Sequence, residues 1–173
     1  FGAQWFDMQW NPRLESDAWK KAIHFYVDLL NAYGPPGSSS NSFNEILALF
    51  NQGKCGIWVD ASIAAGFVSD PKDSKVSDQV AFAHAPTGVT DRGASWLWAW
   101  ALAIPKTSQK IEASRKFILW ATSPSYIRLV ARENGWKKVP TGTRQSTYDE
   151  PNFKKAAPYA VIEQKAIFSA DPY

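Results

Sequence analysis

Tryptophan takes every second position in Trp96-Leu97-Trp98-Ala99-Trp100, within the stretch from Gly93 to Pro105. Successive side chains of an extended chain point to opposite sides, so period-two alternation marks a strand with two unlike faces. The spacing predicts a strand from Trp96 to Ile104 with three indoles on one face. Such a face is a flat aromatic surface edged with N–H donors. It suits a ligand that is apolar on its C–H side and polar at its hydroxyls, as sugars and sugar alcohols are. The competing reading is that the rings fill a core beneath a helix.

The rest of the chain reads as helices interleaved with short apolar strands, which makes the class α/β. Ser16 is a good N-cap, and Trp19, Ala22, Ile23, Tyr26, Leu29, Leu30 and Tyr33 then recur on one helical face until Gly34-Pro35-Pro36 stops it. After a flexible loop at residues 37–41, Ser42 and Glu45 form a capping box for a second helix that ends at Gly53. Cys55 to Asp60 reads as a buried strand, Ser62 to Val68 as a helix, and Val80 to His84 as another short strand. A turn is expected from Thr87 to Arg92. Beyond the tryptophan strand, a helix runs to Thr122 with Ile111, Ser114, Phe117, Ile118 and Ala121 facing inward. Ser123-Pro124 starts the next helix, and Gly135 stops it. Trp136 to Tyr148 reads as a loop, and Phe153 to Ser169 as a helix that Pro158 kinks or restarts. Phe1, Trp5, Phe6 and Trp10 are expected to pack against the body of the domain.

Composition removes several function classes. The net charge is +3 and no run of basic residues exceeds two, so the basic stripe that nucleic acid requires is missing. Two distant histidines and one cysteine cannot close a zinc site, and no cofactor motif is present. His24 falls on the solvent side of its helix, and His84 reads as a strand-end residue. Cys55 reads as an inert core thiol, which fits either the cytoplasm or an exported protein that avoids thiols. No apolar run approaches the roughly 20 residues that cross a bilayer. The chain starts at Phe1 inside a hydrophobic sequence and stops at Tyr173, and both ends look like cuts through a larger protein.

The polar groups worth singling out sit at strand ends and in loops. Asp60 ends a buried strand, where open α/β sheets bind ligands, and its carboxylate can accept from two adjacent hydroxyls. It can equally cap the helix that follows. Trp58, two residues back, shares its face and either stacks on the same ligand or belongs to the core. Arg144, in a loop with Pro140 and Gly142, can donate as a fork or make a surface ion pair. Asp7, Asp60, Glu133 and Glu163 are default candidates for a carboxylate pair in a glycosidase.

Six segments carry a family resemblance. Leu49-Phe50-Asn51-Gln52-Gly53-Lys54-Cys55-Gly56-Ile57-Trp58-Val59-Asp60-Ala61 resembles the F-x-x-G-K-x-A-M segment of the extracellular solute-binding proteins of ABC transporters, in the branch that includes maltodextrin-binding proteins. Trp100-Ala101-Leu102-Ala103-Ile104-Pro105-Lys106-Thr107-Ser108, followed by Ala113 and Lys116-Phe117-Ile118, resembles that family's G-W-x-L-A-I-P-x-x-S strand and A-x-K-F helix. Trp5-Phe6-Asp7 with Trp10, Phe25 to Leu30, Gly34 to Gly37, and Val139-Pro140-Thr141-Gly142-Thr143-Arg144 are similar to the sorbitol- and mannitol-type subgroup. Gly56-Ile57 replaces the usual small-residue-plus-Met pair, and Ala99 replaces the glycine before the strand tryptophan.

The resemblance implies one lobe of a periplasmic-binding-protein type II fold, with a small mixed sheet flanked by helices. Residues 1–173 would be a C-terminal-lobe fragment of a two-lobe protein, lacking the N-terminal lobe and the closing helices. It implies a non-enzymatic, monomeric component of an importer, periplasmic or membrane-anchored outside the cell. That component passes a sugar alcohol or related sugar to ABC permease subunits. The ligand would sit between lobes, with Trp58, Asp60, Trp96, Trp98, Trp100 and Arg144 as this lobe's contacts. The rivals are a glycosidase domain and a protein-interaction domain with a Trp-rich core.

Overall fold

Helices appear where the chain carries its own start and stop signals. The structure, a computed structural model, describes residues 1–89 and 96–170. The expected turn from Thr87 to Arg92 runs past residue 89, and Gly93-Ala94-Ser95 and Asp171-Pro172-Tyr173 lie outside the described residues. Helix α1 spans Asp17–Tyr33, and the Ser16 hydroxyl accepts the Trp19 amide. Helix α2 spans Phe43–Asn51, and both the backbone N–H and the hydroxyl of Ser42 donate to the Glu45 carboxylate. These bonds hold the Glu45 carboxyl below its ordinary pKa of 4.5. Helices α3 (Ala64–Val68) and α4 (Ile111–Ala121) follow. Helix α5, Pro124–Asn134, has the expected Ser123 cap with proline in its first turn, and ends at Gly135.

The C-terminal quarter is more finely divided than its sequence pattern suggests. The expected loop from Trp136 to Tyr148 holds a 3-10 turn at Trp136–Lys138 and helix α6 at Gln145–Asp149. The helix expected from Phe153 to Ser169 restarts at Pro158, one of the two outcomes the sequence allows, as α7 at Pro151–Ala156 and α8 at Ala160–Phe168. Pro158 has no N–H to continue α7, so the chain restarts. Helices this short show too few turns for a periodic signal.

The strands expected at Cys55–Asp60, Val80–His84 and Trp96–Ile104 do not form a sheet here. Among the described residues the only pairing is by isolated bridges, such as Phe6 with Pro12. Alternation shows that a segment has two faces, but a ladder also needs a partner backbone. Cys55 is accordingly half-buried and not sealed in a core strand.

The core lies where the sequence pattern is weakest. Val139, Tyr148, Phe153, Ala157, Tyr159 and Ala160 pack with Ala65 of α3 and Ile127 of α5. Phe153 is fully buried and meets the Tyr148 and Tyr159 rings edge-on at 5.7 and 6.4 Å. The 3-10 turn is tied to α3 and the loop after it. Lys138 Nζ lies 2.9 Å from Asp70 and 3.0 Å from Asp73, and Lys137 Nζ donates to the Ser69 carbonyl at 3.2 Å. Gly66 permits this approach, since a Cβ there would sit 3.0 Å from the Lys137 carbonyl oxygen.

Other expected core faces stay open. Trp19, Ala22 and Leu30 of α1 are half-buried, but Ile23, Tyr26, Leu29 and Tyr33 are exposed. On α4, Ser114, Ile118 and Ala121 are half-buried, while Ile111 and Phe117 are exposed. Of the N-terminal aromatics, Trp5 lies 4.4 Å from Trp19 of α1 and Phe1 lies 5.4 Å from Phe25, ring centroid to centroid, while Phe6 and Trp10 are exposed and pair with each other at 5.4 Å.

Phe153→Ala empties the centre of the core, a change that costs about 3–5 kcal/mol in well-packed proteins. Urea unfolding followed by circular dichroism should show a loss of that size. An unchanged midpoint would mean that stability resides elsewhere.

Candidate ligand-binding site

Trp96, Trp98 and Trp100 are 75%, 56% and 89% exposed, so they do not fill a core beneath a helix. They stand beside one another as the alternation requires, with centroids 4.9 Å apart for Trp96–Trp98 and 5.8 Å for Trp98–Trp100. The surface is stepped, not flat. The ring planes meet at 79° and 69°, the edge-to-face arrangement that the aromatic quadrupole favours. Each step offers a ring face beside a ring edge, a notch suited to aliphatic C–H groups.

Trp58 has a different setting. It is half-buried between Phe43 and Phe50 of α2, at 5.3 and 5.8 Å. Asp60 is exposed and its Oδ1 accepts the Ala61 N–H at 2.6 Å. It does not cap α3, whose N-cap is Ile63. Its remaining acceptor capacity is open to solvent. Arg144 is exposed and makes no surface ion pair among the described residues. Its Nε and Nη2 donate to the Thr122 carbonyl at 3.2 and 2.8 Å, closing the C-terminal end of α4. The other guanidinium N–H groups remain for a further acceptor. Among the described residues, no hydrogen bond or ring contact joins Trp58, Asp60 or Arg144 to the tryptophan row.

The default carboxylates have separate structural tasks. Asp7 accepts from the Gln9 and Asn11 amides at 2.9 Å and from Asn11 Nδ2 at 3.1 Å. The Asn11 bonds, chiefly the backbone one, hold its carboxyl below 3.8. Glu133 pairs with Arg132 at 2.8 Å on the surface. Glu163 is buried, only 4% exposed, and accepts the Thr141 hydroxyl at 2.8 Å. Among the described residues no three His, Cys, Asp or Glu side chains gather as a metal site.

Sequence reasoning missed the polar network beneath the Arg144 loop. Tyr148 Oη accepts the Gly142 N–H at 2.9 Å, next to the Thr141–Glu163 bond. Burial raises the Tyr148 phenol well above its ordinary pKa of 10.0, and the Glu163 charge adds to it. The same two causes, burial first, push Tyr159 up to about 12. No local motif announces such a network, because Thr141 and Glu163 are 22 residues apart.

Comparison with known proteins decides the family. The model of the bacterial extracellular solute-binding proteins matches residues 1–127. The chain belongs to that family. It is 55% identical over 172 residues to a mannitol-binding protein of Pseudomonas aeruginosa, covering 99% of this chain and 39% of that one. It is 28% identical over 157 residues to a probable amino-acid ABC transporter periplasmic-binding protein of Sinorhizobium fredii, covering 91% and 34%. An ABC transporter solute-binding protein of Agrobacterium vitis with bound D-mannitol superposes with a TM-score of 0.93 at 56% identity, over 99% of this chain and 41% of that one. A maltose-bound protein of T. maritima superposes with a TM-score of 0.85 at 25% identity, over 99% and 44%. The chain thus spans about two fifths of the length of the mannitol-related proteins. These likenesses make it an α/β lobe of the solute-binding kind. The family and these relatives are solute-binding proteins and not enzymes, which sets the glycosidase reading aside.

The tyrosine shifts carry a pH dependence. A folded-state pKa raised above 10.0 gives stability that is complete below that pH and is lost as pH climbs toward about 12, where Tyr159 ionises. Urea unfolding across this range should show a shallower alkaline decline in Tyr159→Phe than in the parent. Equal slopes would contradict a buried, charge-opposed phenol.

Proposed function

We propose that residues 1–173 form a C-terminal-lobe fragment of a two-lobe solute-binding protein that captures a sugar alcohol of the mannitol or sorbitol kind. It would deliver this ligand to the permease subunits of an ABC importer. The observation that carries the reading is the 56% identity, over 99% of the chain, to a protein with bound D-mannitol. The exposed indole row is its physical counterpart, since a neutral ligand is held by hydrogen bonds and an apolar wall and not by ion pairing. Trp96, Trp98 and Trp100 take the C–H faces, and Asp60 accepts from hydroxyls. Arg144 donates through the N–H groups that Thr122 leaves over, and Trp58 backs the segment that ends at Asp60. The protein works as a monomer outside the cytoplasmic membrane, in the periplasm or anchored to the outer face. The family description as extracellular supports that location, and none of the described helices is long and apolar enough to cross a membrane.

The segments at Cys55–Asp60, Val80–His84 and Trp96–Ile104 become strands of a small mixed sheet when the rest of the protein supplies their partners. Their exposed apolar residues, among them Ile57, Val59, Leu97 and Leu102, support this assignment.

A thermal-shift panel on the full-length protein tests the ligand class. Ligand at about a hundred times Kd adds roughly 2.7 kcal/mol to the folded state, a readily measured rise in Tm. D-Mannitol or D-sorbitol should produce it, and Trp98→Ala should abolish most of it. Stabilisation by amino acids alone would overturn the polyol reading.

A ligand enclosed by two lobes finds only half of its contacts on one. Titration calorimetry should therefore detect tight D-mannitol binding by the full-length protein and weak or no binding by residues 1–173. Equal affinity in both would refute the divided site.

A further inference from the structure

The five residues from Pro140 to Arg144 have no regular structure, yet three of them are fastened to three different helices. Thr141 Oγ1 donates to Glu163 Oε1 on α8 at 2.8 Å. The Gly142 N–H donates to Tyr148 Oη on α6 at 2.9 Å. The Arg144 guanidinium donates twice to the Thr122 carbonyl at the end of α4. Gly142 has φ +75°, in the left-handed region that glycine adopts without strain, so the chain bends between the first and third fastening.

Glu163 is the least economical member of this set. Its side chain is buried at 4% exposure, and Oε2 has no hydrogen-bond partner among the described residues. Burying a carboxylate costs stability even where it is hydrogen-bonded, and an apolar side chain of similar size would fill the space without that cost. Tyr148 and Tyr159 both feel the Glu163 charge, which raises the energy of ionising either phenol. A cost of this kind is accounted for when the group fixes a geometry that packing alone leaves open.

We propose that Glu163 is a positioning residue for polyol binding: through the Thr141 hydroxyl it holds the Pro140–Arg144 loop in the register that presents Arg144 to the ligand. The proposal rests on the polyol reading above. Glu163 itself stays beneath the loop and touches no ligand. Its effect passes through the hydrogen bond to Thr141, three positions from the guanidinium.

The test uses the full-length protein and D-mannitol, with affinity from calorimetry and unfolding midpoints measured without ligand. Thr141→Val keeps the shape and removes the hydroxyl, and it should weaken binding about tenfold or more. Thr141→Ser keeps the donor and Glu163→Gln keeps an acceptor, and both should bind within about threefold of the parent. The double variant Thr141→Val/Glu163→Leu replaces both partners by apolar groups, which restores stability lost in Thr141→Val alone. It should not restore affinity. If affinity returns together with stability, Glu163 serves the fold only and the proposal is wrong. Parent-like binding by Thr141→Val would also defeat it. A parent that binds no polyol defeats the polyol reading instead, and amide hydrogen exchange at Gly142 then decides the anchoring. Exchange there should be faster in Thr141→Val and unchanged in Thr141→Ser, and equal rates in both would show that the hydroxyl fixes nothing.

Discussion

A helix satisfies its backbone N–H and C=O groups within itself, four residues apart, whereas an extended segment must borrow partners from another segment. This difference governs the whole molecule. Helices α1, α2 and α5 stand with their own caps at Ser16, Ser42 and Ser123. The three alternating segments have apolar residues suited to a sheet but no ladder among the described residues. The chain covers about two fifths of its mannitol-related relatives, so much of their length is not represented in these residues.

Where contacts are available within the chain, they are dense. Phe153 sits between two tyrosine rings, and short helices α6, α7 and α8 close around it. Those helices are too short to persist alone, and packing against a common centre is what holds them. The same packing buries Glu163 and lifts the two phenols. Core and polar network are therefore one arrangement, with aromatic rings on one side and a carboxylate, a threonine hydroxyl and a loop amide on the other.

The candidate site was legible in part. The alternation at Trp96, Trp98 and Trp100 correctly placed three indoles side by side, because the period of a strand follows from backbone geometry. It did not give the tilt of the rings, which depends on how neighbouring quadrupoles meet. Asp60 was legible as a segment-end carboxylate, but its sequence left capping and ligand binding open. Ile63 takes the cap position instead. Arg144 was visible as a forked donor, and its acceptor, the Thr122 carbonyl, was not. A backbone carbonyl 22 residues away leaves no trace in local sequence.

The sequence by itself determined the capped helices, the interleaving of helical and alternating segments, and the shared face of the three tryptophans. It also carried the family likeness in segments such as Leu49 to Ala61 and Trp100 to Ser108, which fall within the matched residues 1–127. Each of these depends on interactions within a few residues or on a direct sequence match. Only the tertiary structure decided that the centre is Phe153, that α1 and α4 leave apolar faces open, and that Glu163 lies beneath the Arg144 loop. Those outcomes include meetings between residues far apart in the chain, as at Thr141–Glu163, 22 positions apart, and Lys137–Ser69, 68 positions apart. Local periodicity cannot encode them, because the free energy that selects them arises only when the elements pack.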